Sequence, residues 1–152
     1  MNVVFIGDSF TSGENNNYKS FAHYYKYSNI ENTVSILGVS GSCFGDYSIY
    51  PVQECCFSLL KQYSFIKSAD LIVIDFGIND TTAVTVGYVD LLKVYISIIR
   101  CMDLLKQLNP DVKLLFIFPF SESFKAYIDT YLMYVYSDYF NNSITPIYED
   151  KI

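Results

Sequence analysis

The sequence has few charged residues, and basic residues are the rarer kind. Charged residues make up 17% of the 152 positions, with 10 Lys and Arg against 16 Asp and Glu and a formal net charge of −6. Arg100 is the single arginine, and the lysines form no basic cluster along the sequence. Because a nucleic-acid-binding surface must neutralise a row of phosphates, the composition argues against nucleic acid as a partner.

The sequence also lacks long apolar runs, a visible secretion signal and a spaced set of metal ligands. Its longest apolar stretch, KLLFIFPF at 113–120, is far shorter than the roughly 20 residues of a membrane span. The cysteines, Cys43, Cys55, Cys56 and Cys101, have no spacing typical of a metal site, so we expect free thiols that pack as small apolar side chains. We therefore expect a soluble, cytoplasmic protein with no metal, no cofactor and no membrane contact.

Apolar and aromatic residues are plentiful. Apolar residues make up 51% of the chain, and the aromatic residues are 15 Tyr and 12 Phe, with no Trp. A chain of this length buries about 70% of the surface that it exposes when unfolded, so it needs neither a metal nor disulfides to fold. We predict a single domain over residues 1–152.

Apolar runs alternate with segments of helical periodicity. The runs VVFI, TVSILG, LIVIDF, KLLFIF and SITPIY, which we interpret as strands, are at 3–6, 33–38, 71–76, 113–118 and 143–148. The segments interpreted as helical are at 18–27, 48–67, 86–108 and 124–140. This alternation predicts a three-layer α/β/α sandwich with a parallel, five-stranded, flavodoxin-like sheet.

Polar or glycine-rich loops follow the first four predicted strands. The loops are GDSFTSG, GVSGSCFGD, GINDTT and PFSES, which begin at residues 7, 38, 77 and 119. Ligands of parallel α/β sheets bind beyond the carboxyl ends of the strands. The loops therefore predict a functional edge of the sheet.

Three of these loops together resemble the first three sequence blocks of the SGNH (GDSL) hydrolases. The matching residues are GDSFTSG at 7–13, SG at 40–41 and GIND at 77–80. The resemblance implies a serine esterase or acyl hydrolase that acts through an acyl-serine intermediate. Its substrate would be a short acyl ester or an O-acetyl group on a carbohydrate.

The resemblance also implies a role for each matching residue. Ser9 would be the nucleophile, and its N–H, the N–H of Gly41 and the side-chain amide of Asn79 would form the oxyanion hole. Such donors contribute about 3 kcal/mol each to stabilising a tetrahedral intermediate. Asp8 and Asp80 adjoin these positions and would support them.

Each of these residues also has a structural interpretation. Ser9 could cap the first helix or bind a phosphate, and Gly41 could serve only a turn. Asn79 or Asp80 could be the N-cap of the helix after the third strand. The occurrence of all three blocks at the three expected strand ends favours the functional interpretation.

The fourth block of the family, Asp-x-x-His, has no counterpart in the sequence. The only histidine, His23, is in the segment 18–27, which we predict to run away from the Ser9 loop as the first helix. Two helical turns would place His23 about 10 Å or more from Ser9. We therefore interpret His23 as a structural histidine and leave the general base unassigned, although a serine hydroxyl needs a base near neutral pH.

The sequence ends near the fifth predicted strand, so we expect the closing helix of the fold to be missing. An apolar strip on one face of the sheet would then need a cover, supplied by a second copy of the chain, by a separate polypeptide or by a further C-terminal segment of the same protein. Without its base, the chain would be an impaired enzyme or one that depends on a base in trans.

Two other functions stay open. The missing base motivates a catalytically silent binding module that holds an acyl or carbohydrate group. A flavodoxin-like FMN protein would place its phosphate in the hydroxyl-rich loop after the first strand, but this function explains neither Gly41 nor Asn79.

Substrate specificity would depend on the edge loops. Four aromatic residues could line a site there, although core packing explains most of them: Tyr18, Phe44, Tyr47 and Phe120.

Overall fold

The computed structural model describes residues 1–118, 125–126, 136 and 144–148. The strands are β1 (Asn2–Gly7), β2 (Thr33–Gly38), β3 (Leu71–Asp75), β4 (Lys113–Phe118) and β5 (Ile144–Tyr148). They form one sheet in the order β2-β1-β3-β4-β5, and all neighbours are parallel. This is the flavodoxin-like order, so the predicted fold class is confirmed.

Helices connect the strands on both faces. They are α1 (Ser9–Ser12), α2 (Phe21–Ser28), α3 (Cys56–Leu59), α4 (Tyr63–Lys67), α5 (Ile78–Thr85) and α6 (Leu91–Leu108). The predicted helical segment 48–67 forms two short helices, and its first part contains Pro51, which cannot donate to a helical hydrogen-bond ladder. The predicted helical segment 124–140 and the expected lack of a closing helix fall almost entirely outside the described residues.

The two faces of the sheet carry cores of different size within the described part of the chain. On one face, side chains such as Ile6, Ile72 and Phe116 belong to a large buried core that includes residues of α3, α4, α5 and α6. On the other face, Val3, Phe5, Val73 and Val34 pack with Ala22 of α2. Further apolar side chains of this second face are only partly buried, namely Ile36, Leu71, Leu115 and Ile117. A partner covering this face stays a prediction.

The cysteines behave as predicted. All four are free and buried, and burial raises the pKa of the Cys43 and Cys56 thiols. The burial of all four confirms the prediction that they pack as apolar side chains, and the raised pKa keeps the sulfur of Cys43 and Cys56 protonated. Among the described helices, none has the length and apolar character that a membrane span needs.

Close contact between β1, β2 and α1 depends on two glycines. A Cβ at Gly7 would lie 2.0 Å from Thr11 Oγ1 and 2.7 Å from the carbonyl oxygen of Asp75. A Cβ at Gly38 would lie 2.5 Å from the backbone nitrogen of Ser12. The absence of a side chain at both strand ends therefore allows α1 to pack directly against the sheet.

Gly7→Ala should therefore destabilise the fold by about 3 kcal/mol, because the neighbours that the new methyl group would meet include backbone. Gly87→Ala is the control: Gly87 has φ +75° and nothing within 4 Å of the added Cβ, so only backbone strain of about 1 kcal/mol applies. Urea unfolding measures both free energies. Equal losses would contradict the close packing at Gly7.

Candidate active site

Ser9, Gly41 and Asn79 follow three different strands and line one cleft of about 420 Å³. β1 lies between β2 and β3 in the sheet, so the three loops leave adjacent strand ends. The cleft is completed by Asn15, Ser40, Tyr50, Pro51 and Val52. The structure thus brings the three residues of the predicted oxyanion hole to one space.

Ser9 is the first residue of α1 and does not cap it. The cap is Asp8, whose fully buried side chain accepts a hydrogen bond through Oδ1 from the N–H of Phe10 at 3.0 Å. The interpretation of Ser9 as a helix cap is therefore wrong. Within the described part of the chain, neither the N–H nor the hydroxyl of Ser9 forms a hydrogen bond, so both can meet a ligand in the cleft.

Gly41 occupies a turn that requires glycine and also presents a donor. Its φ is +81°, and a Cβ there would lie 3.1 Å from the Tyr50 side chain. Its carbonyl accepts a hydrogen bond from Ser48 Oγ, whereas its N–H has no acceptor among the residues that the structure describes. A turn function and a binding function are compatible at this position.

The Asn79 side chain is held in place by a hydrogen bond that its amide nitrogen donates. Helix α5 begins at Ile78 after the cap Gly77, so the interpretation of Asn79 or Asp80 as the N-cap is wrong. Asn79 Nδ2 donates to the carbonyl of Ser42 at 2.9 Å. Because an amide nitrogen carries two hydrogens, the second remains for a ligand in the cleft that Asn79 lines.

Asp80 anchors the loop that carries Gly41. Its buried carboxylate accepts hydrogen bonds from the N–H of Phe44, at 3.1 and 3.3 Å, and from the Tyr47 hydroxyl at 2.5 Å. Burial raises the pKa of Asp80 to about 6, and the hydrogen bonds from Tyr47 and Phe44 offset part of that rise. Burial and the neighbouring Asp80 charge in turn raise the pKa of Tyr47.

The residues singled out as aromatic candidates separate into two groups. Phe44 and Tyr47 are buried, so they belong to the core and the loop anchor, as the packing interpretation predicts. Tyr18 is 61% exposed. Phe120 lies outside the described residues.

Sequence reasoning missed Asp75, which supports α1. Thr11 Oγ1 donates to Asp75 Oδ2 at 2.9 Å, and both side chains are buried. The signal was available, since a carboxylate at the end of the apolar run LIVIDF needs a partner if it is buried. Thr11 is therefore part of the structure beneath Ser9.

Ser9 also lines a second cleft, which has a volume of about 450 Å³. Phe10, Ser20 and Phe21 line this cleft, and Asn15 is common to both clefts. Phe10 is 55% exposed. A group bound at Ser9 can therefore extend in two directions, one towards Gly41 and one along aromatic side chains.

His23 is in the first turn of α2 and not two turns into a helix that begins at Ser9. The predicted position of His23, two turns into the first helix, is therefore wrong, because Gly13, with φ +68°, ends α1 and α2 begins at Phe21. The Nδ1 atom of His23 lies 2.7 Å from the hydroxyl of Ser20, the cap of α2, and its ring meets Tyr18 edge-on. These contacts give His23 a structural function.

Comparison with solved structures finds the same fold in carbohydrate esterases. An active-site mutant of a family two carbohydrate esterase from Clostridium thermocellum aligns with a TM-score of 0.68 and 15% identity, over 96% of this chain and 52% of that chain. An acetyl xylan esterase from Butyrivibrio proteoclasticus aligns with 0.64 and 16%, over 96% and 54%. A carbohydrate acetylesterase family member from Sinorhizobium meliloti aligns with 0.59 and 18%, over 96% and 83%.

No family model matches the sequence, and no curated protein is significantly similar to it. The chain spans about half the length of the first two esterases, at 52% and 54%. At these identities the likeness establishes the fold.

Asp80 should give stability a specific pH dependence. Its folded pKa of about 6 exceeds its ordinary value of 3.8, so the folded state binds the proton more tightly than the unfolded state. The free energy of unfolding should therefore fall by about 3 kcal/mol, from this group alone, as pH rises from about 4 to about 7.

The check is urea unfolding across that pH range for the wild type, Asp80→Asn and the exposed-carboxylate control Glu31→Gln. Asp80→Asn should lack the Asp80 contribution, whereas Glu31→Gln should keep it. Parallel pH curves for the wild type and Asp80→Asn would contradict the assignment.

Proposed function

We propose that this chain carries the acyl-transfer centre of an SGNH-type serine esterase. The observation that carries the proposal is the cleft at which Ser9, Gly41 and Asn79 meet, where the N–H groups of Ser9 and Gly41 and the second hydrogen of Asn79 Nδ2 have no acceptor among the described residues. The likeness of the fold to carbohydrate esterases supports this reaction class.

In the proposed reaction, Ser9 Oγ attacks the carbonyl carbon of an ester. The carbonyl oxygen becomes an oxyanion that accepts hydrogen bonds from the N–H groups of Ser9 and Gly41 and from Asn79 Nδ2. Collapse of this intermediate breaks the bond to the alcohol oxygen, which takes up the proton that left Ser9, and leaves an acyl-serine. Water then attacks the acyl carbon, and the acid is released with Ser9 restored.

The surrounding hydrogen bonds make these donors rigid before substrate arrives. Ser42 orients the Asn79 amide, and Asp80 holds the backbone of Phe44 and the ring of Tyr47. Donors that need no reorganisation are the effective ones in stabilising an oxyanion. We propose that Asp8, at the start of α1, and Asp80, in the first turn of α5, support these donors.

The two clefts at Ser9 favour an ester with unlike halves. We propose that a small acyl group occupies the cleft at Gly41 and that the alcohol extends past Phe10 and Phe21. Exposed aromatic rings suit the apolar faces of a sugar. An O-acetylated carbohydrate is therefore the proposed substrate class, in line with the acetyl xylan esterase among the structural neighbours.

The Ser9 proton needs an acceptor that the described clefts do not supply. None of the described residues lining either cleft is a histidine or a carboxylate, and His23 is engaged with Ser20. We propose that the base comes from outside this set of residues, from a partner in trans. A small base that diffuses into the open cleft should replace it.

Hydrolysis of p-nitrophenyl acetate with and without added imidazole tests this proposal. We expect slow release of p-nitrophenol that imidazole accelerates beyond its own reaction with the ester, and we expect Ser9→Ala to abolish that excess. Ser64→Ala is the matched control, since Ser64 is an exposed serine at another edge of the molecule. Equal rates for Ser9→Ala and Ser64→Ala would refute Ser9 as the nucleophile.

Asn79→Ala should lower the imidazole-assisted rate by about 10²-fold to 10³-fold, because it removes an oxyanion donor. Urea unfolding of the variant separates this effect from a loss of fold, since the bond to Ser42 is lost as well. An unchanged rate in a folded variant would remove Asn79 from the proposed oxyanion hole.

A second candidate function is binding without turnover, favoured by the engagement of the only histidine, His23, at the start of α2. The same donors would then hold an acetyl or carbohydrate group. Saturable binding of an acetylated xylo-oligosaccharide, together with no reaction of Ser9 with a fluorophosphonate, would support this function over the esterase.

A further inference from the structure

A further cavity, separate from the two clefts at Ser9, is lined by several basic side chains. It has a volume of about 370 Å³ and is lined by parts of α3, α6 and the loop at 44–46. Lys61, Lys93 and Arg100 all reach it. In a chain with a net charge of −6, these residues are the only arginine and two of the lysines, and they are far apart in the sequence.

The fold places these three cations together through one helix face and one loop. Lys93 and Arg100 are seven residues apart on α6, so they project from the same face of that helix. Lys61 follows the end of α3. The arrangement was not visible in the sequence because it depends on the packing of α3 against α6.

Aromatic rings hold the charged groups near the cavity. Lys61 Nζ and Arg100 Cζ each lie 4.7 Å from the centroid of the Phe57 ring, and Lys93 Nζ lies 5.8 Å from that of Tyr47. Lys61 Nζ and Arg100 Cζ are therefore separated by at most twice 4.7 Å. The two like charges repel each other, and an anion bound beside them would offset that repulsion.

The cations have no anionic partner within the described part of the chain. None of Lys61, Lys93 and Arg100 forms an ion pair there, and the guanidinium of Arg100 donates no hydrogen bond. Asp46 also lines the cavity, so the lining residues carry three positive charges and one negative charge. Ser58, another lining residue, is already bonded to Glu54.

From this geometry we propose that the cavity binds a small anion bearing phosphate groups. Three cations match a ligand with more than one negative charge, and the planar fork of Arg100 fits two oxygens of a phosphate. The volume is in the range of small-molecule sites, from about 300 Å³ upwards. The site shares none of its lining residues with the Ser9 clefts.

Isothermal titration of the full chain with inorganic pyrophosphate in low-salt buffer tests the proposal. We expect saturable binding that weakens as salt is added, and we expect Arg100→Gln to weaken it about tenfold. Lys67→Gln is the matched control, because Lys67 also lies over an aromatic ring, that of Tyr63, but outside the cavity. Ser9→Ala should bind as the wild type does, so a failed esterase assignment leaves this test intact.

Several outcomes would overturn the proposal. They are no saturable binding by the wild type, equal loss in Arg100→Gln and Lys67→Gln, or binding of citrate as tight as that of pyrophosphate, which would make the site one for carboxylates. If circular dichroism shows that Arg100→Gln is unfolded, Lys93→Gln replaces it with the same expected loss.

Discussion

The buried carboxylate of Asp80 is the interaction on which the rest of the site depends. It accepts hydrogen bonds from the backbone of Phe44 and the hydroxyl of Tyr47, and so fixes the loop after β2 to the first turn of α5. Burying a charge is costly unless it is hydrogen-bonded, so this loop has one favourable position relative to α5. Asn79, the preceding residue, completes the connection through Ser42. These hydrogen bonds fix the position of Gly41 relative to Asn79.

The order of the strands explains why this connection lies next to Ser9. With β1 between β2 and β3, the first strand exit has the other two as neighbours. Gly7 and Gly38 allow α1 to pack against the strand ends, while Asp8 and Thr11 satisfy its polar groups. The N–H and the hydroxyl of Ser9 form no hydrogen bond with any described residue. The buried residues of these loops therefore position the few residues that face the cleft.

Much of the architecture could be predicted from the sequence, because buried parallel strands such as VVFI and LIVID are continuous apolar runs. The three edge residues were found by spacing and resemblance. Two of the missed features are local: Asp8 rather than Ser9 caps α1, and Gly13 ends α1, so that His23 lies at the start of a new helix. The meeting of Lys61 and Arg100 at the Phe57 ring depends on tertiary contact. Local patterns cannot specify such pairings between distant segments.

The central claim is that Ser9, Gly41 and Asn79 act on one oxygen atom. A crystal structure of the chain after reaction with an alkyl phosphonate ester tests it most directly, because phosphorus would stand where the tetrahedral carbon forms. The account predicts phosphorus bonded to Ser9 Oγ, with its free oxygen about 2.7–3.1 Å from the N–H nitrogens of Ser9 and Gly41 and from Asn79 Nδ2. An adduct on another residue, or a phosphonyl oxygen directed towards Phe10 and away from Asn79, would contradict it.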